Sequence, residues 1–364
     1  MPVPDKLPPA RVVRALEVVR DRLARLHQRM VPAPAAMMEL ILDAWVAQAV
    51  AAAAELGIAD ALAGGPLTAD EIAAAVGADA DAISRLLRAL IGRGVFRQRR
   101  DGRYDLNPLA DALRSDAEVS LAGMARFVGT RQQREHWSEL TDAIRSGRSV
   151  VSKLRGKPFF EYLAGEPELS RIFNDAMTST SDLSIAPLVA AYDFSGYSTI
   201  VDVGGGHGRL LAAILNAAPQ ARGILFDQPQ VVADAPAELR EHRVEDRVRI
   251  VEGSFFEDEL PGGGDAYVLK NIIHDWPDDD AISILGRVRK AAAPGSHVLL
   301  LEQVIPDHNR DIPAKWIDLE MLVMVDGRER TEAEYGRLLQ QAGFQLTRVV
   351  ETASPFGIVE ARAV

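Results

Sequence analysis

The feature that most restricts the fold is the run Thr199-Ile200-Val201-Asp202-Val203, which passes straight into Gly204-Gly205-Gly206-His207-Gly208. A helical stretch follows from Arg209. A short, nearly continuous apolar run suits a strand buried on both faces, as in a parallel sheet. Glycines at its end let the backbone take positive φ and let a ligand approach closely. Alone, such a turn also fits nicotinamide and flavin sites. Two features narrow it. The spacing is Gly204-x-Gly206-x-Gly208, and Arg209 stands where a dinucleotide fingerprint wants its last glycine. Asp202 lies inside the motif, which suits a ligand bearing an ammonium and a sulfonium better than a pyrophosphate.

Similar short β-branched runs recur at Gly223–Phe226, Val248–Val251, Ala266–Leu269 and His297–Leu301, alternating with helical stretches. That alternation predicts an α/β unit with a doubly wound, mainly parallel sheet. Gln345–Val350 and Gly357–Ala361 read as a closing antiparallel pair. Ligands on such sheets gather at the carboxyl ends of the strands. Four segments end there: the glycine turn, Asp227-Gln228, Ser254-Phe255 and Lys270 through His274. Asp227, about twenty residues past the turn, is placed to accept hydrogen bonds from both hydroxyls of a ribose. Ser254 offers a hydroxyl, and Phe255 a face on which an adenine can stack.

Upstream the chain is helical. Val12, Leu16, Val19, Leu23, Leu26 and Met30 form a heptad-like stripe, ended by Pro32 and Pro34. A lone amphipathic helix has to bury that stripe on its own body or on a partner subunit. Residues 36–62 read as one long helix. Thr68 and Glu71 have the spacing of a capping box. Two short helices and an Asp101-Gly102 hairpin then make a winged-helix pattern. DNA binding is the alternative that this raises. The second helix, however, opens Asp79-Ala80-Asp81, which repels phosphate, so a dimerisation scaffold is the better reading.

Composition excludes several classes. A net charge of −11 disfavours nucleic-acid and anionic-membrane partners. With no cysteine there are no disulfides, thiolate metal sites or thiol nucleophiles, which fits the cytoplasm. No apolar run is read as a membrane span; Trp45 to Leu62 comes nearest, but Gln48, Glu55 and Asp60 interrupt it. Asp275 to Asp280 read as a surface acidic loop, and no metal is expected.

Four motifs in order carry a resemblance. Val201-Asp202-Val203-Gly204-Gly205-Gly206, Phe226-Asp227-x-Pro229, Gly253-x-Phe255-Phe256 and Lys270-x3-His274-Asp275-Trp276 resemble the caffeic-acid-type O-methyltransferases of plants and bacteria. The similarity spans nearly the whole chain, including Gly327-Arg328-Glu329-Arg330-Thr331. It implies a class I methyltransferase fold, a homodimer, and S-adenosylmethionine as cofactor. Residues 1–115 would be the winged-helix dimerisation domain, 116–190 a helical connector carrying the substrate pocket, and 191–364 the methyltransferase domain.

The resemblance also implies roles. Gly204, Gly205, Gly206 and Gly208 would line the methionine moiety beside Asp202, with Asp227 and Gln228 at the ribose. Ser254 and Phe255 would flank the adenine, near Lys270. His274 would be the general base, bracketed by Glu302 and Glu329. The family usually has Asp where this chain has Ser254, a weaker acceptor. Phe127, Trp137, Phe173, Met177, Trp276, Met321 and Met324 are candidates for the walls around a planar apolar acceptor.

The chemistry agrees. A phenol with pKa about 10 is a poor nucleophile at neutral pH, and an imidazole with pKa about 6.5 can take its proton during attack. Methyl transfer to such a hydroxyl is the expected reaction. Decarboxylation or hydroxylation with the same cofactor is the alternative within the fold.

Overall fold

In the computed structural model, which describes residues 7–364, the expected runs form one seven-stranded sheet. Numbered within that sheet in chain order, its strands are β1 (Thr199–Val203), β2 (Arg222–Asp227), β3 (Val248–Glu252) and β4 (Ala266–Lys270). They continue with β5 (His297–Glu302), β6 (Phe344–Glu351) and β7 (Gly357–Ala363). The order is β6-β7-β5-β4-β1-β2-β3, and β7 alone runs against its neighbours. Val201 and Val203 pack on one face with Phe226, Tyr267 and Leu300, while Ile200 joins Leu225, Val268 and Leu299 on the other. Period-2 alternation with both faces apolar requires cover on both sides. Arg209–Ala217 and Asp278–Ala291 are among the helices whose apolar faces supply it. Each fully buried branched side chain contributes about 1.5–3 kcal/mol. The chain winds outward from β1 to β3, then crosses back to β4. That reversal opens a crevice at the carboxyl ends of β1 and β4.

The chain divides into two compact units. One holds the N-terminal residues to Asp21, Asp142–Val151 and Ser184–Val364, and so contains the sheet. The other is Arg22–Thr141 with Ser152–Leu183. Within the second, the stretch read as one helix over 36–62 is two elements, Ala33–Glu55 and the single turn Ile58–Ala61. Gly57 takes φ 67° and breaks the helix between them. Pro34, expected to end the preceding helix, lies in the first turn of this one, where its missing N–H costs nothing. The capping box forms: Glu71 N–H donates to Thr68 Oγ1 and Thr68 N–H to Glu71 Oε2. Asp79 caps the next helix, Ala80–Gly92. The expected hairpin forms, pairing Arg97–Gln98 with Tyr104–Asp105, and the buried Phe96 before it takes φ 65°.

Helix Ala10–Arg29 carries the expected stripe and buries none of it; Leu16, Val19, Leu23 and Leu26 are 49% to 59% exposed. Helix Ala33–Glu55 corrects the reading that no run approaches a membrane span. Its best 18-residue window has a mean hydropathy of 1.4, so by length and composition it can cross a membrane. Met37, Met38, Leu40, Ile41 and Trp45 on it are all more than half exposed.

Candidate active site

The turn after β1 passes through positive φ at Gly204 (70°), Gly206 (61°) and Gly208 (84°). A Cβ on Gly205 would lie 2.5 Å from Asp202 Cγ, so no other residue fits there. Asp227, at the end of β2, holds the turn in place. Its Oδ2 accepts from Gly206 N–H (2.8 Å) and its Oδ1 from Gln228 N–H (2.7 Å). Burial pushes the Asp227 carboxyl up, and these two donors oppose it.

Asp202 is buried beside the turn, and its Oδ2 has no hydrogen-bond donor among the described residues. Burial, and then the nearby Asp227, push its carboxyl up to about 7, with Lys270 opposing. A buried carboxylate oxygen without a donor is costly unless a cationic group completes it. A narrow glycine cradle with an uncompensated carboxylate at its base fits the ammonium end of S-adenosylmethionine.

Phe255 borders the same turn: a Cβ on Gly204 would lie 3.6 Å from its ring. Phe255 and Phe256 both meet Trp276 edge to face, at 6.2 and 4.6 Å between centroids. Ser254 Oγ already accepts from Phe256 N–H (3.2 Å), so its weakness as an acceptor is greater than residue type alone implies. Lys270 places its ammonium 5.2 Å from the Phe356 ring centroid. Gln228 is exposed, and its amide oxygen accepts from Gln230 (2.6 Å).

His274 sits in a three-residue 3₁₀ turn, Ile273–Asp275, just beyond β4. Its Nδ1 lies 2.8 Å from Glu329 Oε1. Glu302, the last residue of β5, is fully buried and turns one carboxylate oxygen to the start of the turn. Its Oε1 accepts from Ile272 N–H (3.2 Å) and Ile273 N–H (2.9 Å). The carboxylate thus continues the β4–β5 ladder past the point where backbone carbonyls end. Gly327 passes so close to the His274 carbonyl that a Cβ would stand 2.1 Å from it, and Arg328 N–H donates to that carbonyl (2.8 Å).

Burial opposes a charge on His274, but Asp275, Glu329 and Glu302 together outweigh it and hold the imidazole's pKa well above its ordinary value. Burial raises the Glu302 carboxyl, and His274 pulls it back. One nitrogen or oxygen from each of His274, Glu302 and Glu329 lies within 4.8 Å of the others. That set has the residue types of a cation site. Glu302 Oε1 is taken by two backbone donors and His274 Nδ1 by Glu329, while Glu302 Oε2 and Glu329 Oε2 are buried with no hydrogen-bond partner among the described residues.

Three groups escaped the sequence reading. Asp275 is no surface acid: its Oδ1 lies 3.4 Å from His274 Nε2, and burial pushes its carboxyl up to about 6. Asp278 to Asp280 are exposed, as expected. Asp318 Oδ1 accepts from Glu329 N–H (2.9 Å), and Arg330 is buried beneath the turn. Asp275 stood in the Lys270–Trp276 motif and Arg330 in the Gly327–Thr331 motif, and no motif pointed to Asp318. Of the wall candidates, Met324 is buried at the end of helix Pro313–Met324, with Met321 one turn before it. Phe127 and Phe173 lie in the other unit, edge to face at 5.5 Å, with Phe159 against Phe173 at 5.4 Å. Trp137 and Met177 are half-buried in that unit.

Residues 137–345 match the O-methyltransferase domain family, and residues 38–116 match the O-methyltransferase dimerisation domain. The chain belongs to the O-methyltransferase family. It is an S-adenosylmethionine-dependent O-methyltransferase with a mixed α/β methyltransferase fold and an N-terminal helical dimerisation domain. It is 40% identical to the phenazine O-methyltransferase PhzM of Lysobacter antibioticus, over 92% of this chain and 97% of that protein. It is also 34% identical to the 8-amino-8-demethylriboflavin N,N-dimethyltransferase of Streptomyces davaonensis, over 88% and 93% of the two chains. An O-methyltransferase from neocarzinostatin biosynthesis is 35% identical, with a TM-score of 0.74 over 88% of this chain and 96% of that one. That structure holds S-adenosylmethionine and 2-hydroxy-5-methyl naphthoic acid.

Proposed function

We propose that this O-methyltransferase acts on a phenolic hydroxyl of a planar, largely apolar small molecule, with His274 as general base. The observation that carries the reading is the 2.8 Å contact between His274 Nδ1 and Glu329 Oε1, next to the crevice of the glycine turn. Asp202, Asp227, Phe255 and the turn from Gly204 to Gly208 would hold the cofactor, with Ser254, Lys270 and Gln228 at its edges. When bound, it supplies a methyl group activated by a positively charged sulfur.

The chain's own residues do the rest. A proton on Nδ1, donated to Glu329, leaves Nε2 as the acceptor for the hydroxyl proton. As the imidazole takes that proton, the buried carboxylates around it stabilise the charge that develops. Asp275, beside Nε2, is placed to take up the hydroxyl until the proton moves. Trp276, Met321 and Met324 supply apolar surface for a flat acceptor. The relatives act on a phenazine, a flavin amine and a hydroxylated naphthoate, which supports a flat aromatic acceptor here.

Labelled methyl transfer to a matched set of hydroxynaphthoic acid, hydroxyphenazine and the corresponding aryl amines tests this. Label in the hydroxy compounds supports the reading; label only in the amines, or release of carbon dioxide without label, removes it.

The protein acts as a homodimer in this reading. The matched dimerisation domain and the exposed stripes of helices Ala10–Arg29 and Ala33–Glu55 support that assembly over insertion in a membrane. A cytoplasmic setting, where the cofactor is made, goes with it.

A further inference from the structure

We propose that Arg330 is the positioning residue for His274, acting through the backbone on either side of it. The inference rests on the reading of His274 as the base. A single 3₁₀ turn is a poor mount for a base. Its own bonds are long, Asp275 N–H to the Ile272 carbonyl at 3.2 Å and Trp276 N–H to the Ile273 carbonyl at 3.4 Å. Something outside the turn has to fix it.

Arg330 does so with all five of its N–H donors. One Nη1 donor goes to the Ile273 carbonyl (2.9 Å) and the other to the Arg328 carbonyl (3.3 Å). Nη2 donates to the Trp276 carbonyl (2.8 Å) and to Asp278 Oδ1 (2.8 Å), and Nε donates to the same Asp278 oxygen (3.1 Å). The guanidinium therefore grips the residue before His274 and the second residue after it. The same short segment presents Glu329 to the imidazole and Arg328 N–H to the His274 carbonyl.

The residue is 1% exposed, and its one ion-pair partner among the described residues, Asp278, opens the next helix at the surface. Burying a charge is costly, and here the cost is met by an ion pair and by a rigid planar fork well suited to holding three carbonyls in register. Lysine cannot replace it, because an ammonium presents three donors from one point.

Arg330→Lys in the full-length protein tests the assignment with two readouts. The first is steady-state turnover with whichever acceptor takes the label most readily. The variant is expected to lose about 10- to 100-fold in kcat, while the acceptor KM and the S-adenosylhomocysteine Kd stay within about threefold. The second is the imidazole Nδ1–H resonance of His274 in histidine-labelled protein, expected to broaden as its bond to Glu329 loosens. An unchanged resonance with unchanged kcat overturns the proposal, as does a lower Tm accompanied by normal kcat in the folded fraction. If Arg330→Lys does not fold, Asp278→Asn at the exposed helix start replaces it. That change should lower kcat about 3- to 10-fold with cofactor affinity intact, and a normal kcat overturns the assignment. His274→Ala separates the two readings. Normal turnover there removes the base, whereas lost turnover there with normal Arg330→Lys removes only the positioning role.

Discussion

His274 Nδ1 and Glu329 Oε1 stand 2.8 Å apart across 55 residues of sequence, both buried. In the proposed mechanism the pair orients the base and sets which of its nitrogens faces the acceptor. Replacing His274 by Ala is therefore expected to lower kcat by about 10²- to 10⁴-fold while S-adenosylhomocysteine still binds. Glu329→Gln keeps an acceptor for Nδ1–H but removes the charge, and about 10²-fold is expected. Single-turnover kinetics with calorimetry of cofactor binding checks both, and near-normal turnover in His274→Ala would falsify the base assignment.

The carboxylates around His274 raise its pKa, and this has a sign for both activity and stability. The neutral imidazole accumulates only above neutral pH, so kcat/KM should rise with pH along a limb lying above about 6.5. Glu329→Gln should move that limb to lower pH. A group whose folded pKa is raised contributes its stabilisation fully below the unfolded value and loses it as pH climbs through the folded one. With the folded imidazole held up to about 10, the Tm difference between wild type and His274→Gln should accordingly shrink from about pH 6.5 to about pH 10. A constant difference across that window would show that the cluster does not hold the proton.

Asp227 and Ser254 should separate cleanly in cofactor binding. Asp227→Ala removes the proposed ribose acceptor, the Oδ2 that accepts from Gly206 N–H in the glycine turn and the Oδ1 that accepts from Gln228 N–H, so Kd should rise about 10- to 100-fold. Ser254→Ala removes a hydroxyl oxygen already engaged by Phe256 N–H, and Kd should stay within about threefold. Calorimetric titration of both variants decides it; equal losses would mean that Ser254 contributes as much to the adenosyl contact as Asp227, and a loss confined to Ser254→Ala would remove the Asp227 assignment.

The exposed leucines of helix Ala10–Arg29 give a test of assembly. Leu23→Glu with Leu26→Glu puts two charges on the stripe and should convert the proposed dimer to monomer in light scattering. An unchanged mass would place the interface elsewhere.

The sheet and the glycine turn at its carboxyl edge were largely readable from local pattern. Thr199–Val203 forms the expected strand residue for residue, because a buried parallel strand is a continuous apolar run and its glycine turn marks where it stops. The Thr68–Glu71 capping box was equally local. What failed was non-local. Gly57 inside an alanine-rich stretch looks tolerable until its positive φ is seen. Asp275 and Arg330 resemble surface charges in sequence, since nothing near them states that a distant segment will fold over them. The short parallel pairing of Val304–Ile305 with Arg330–Thr331, which brings that segment in, joins two-residue strands too brief to leave a periodic signal.

Glu302 ends β5 by lending its side chain to the ladder that the backbone had been making. The turn carrying His274 is therefore an extension of the sheet rather than a loop hung from it, and its opening is tied to the opening of the core. The amides of Ile272 and Ile273 should exchange with solvent as slowly as those of Val268 and Leu269, at the rate of global unfolding. Most loops that carry chemistry belong to the soft part of a protein. Here the proposed base sits on the hard part, and under that proposal the moving in each turnover would fall to the acceptor and the segments around it.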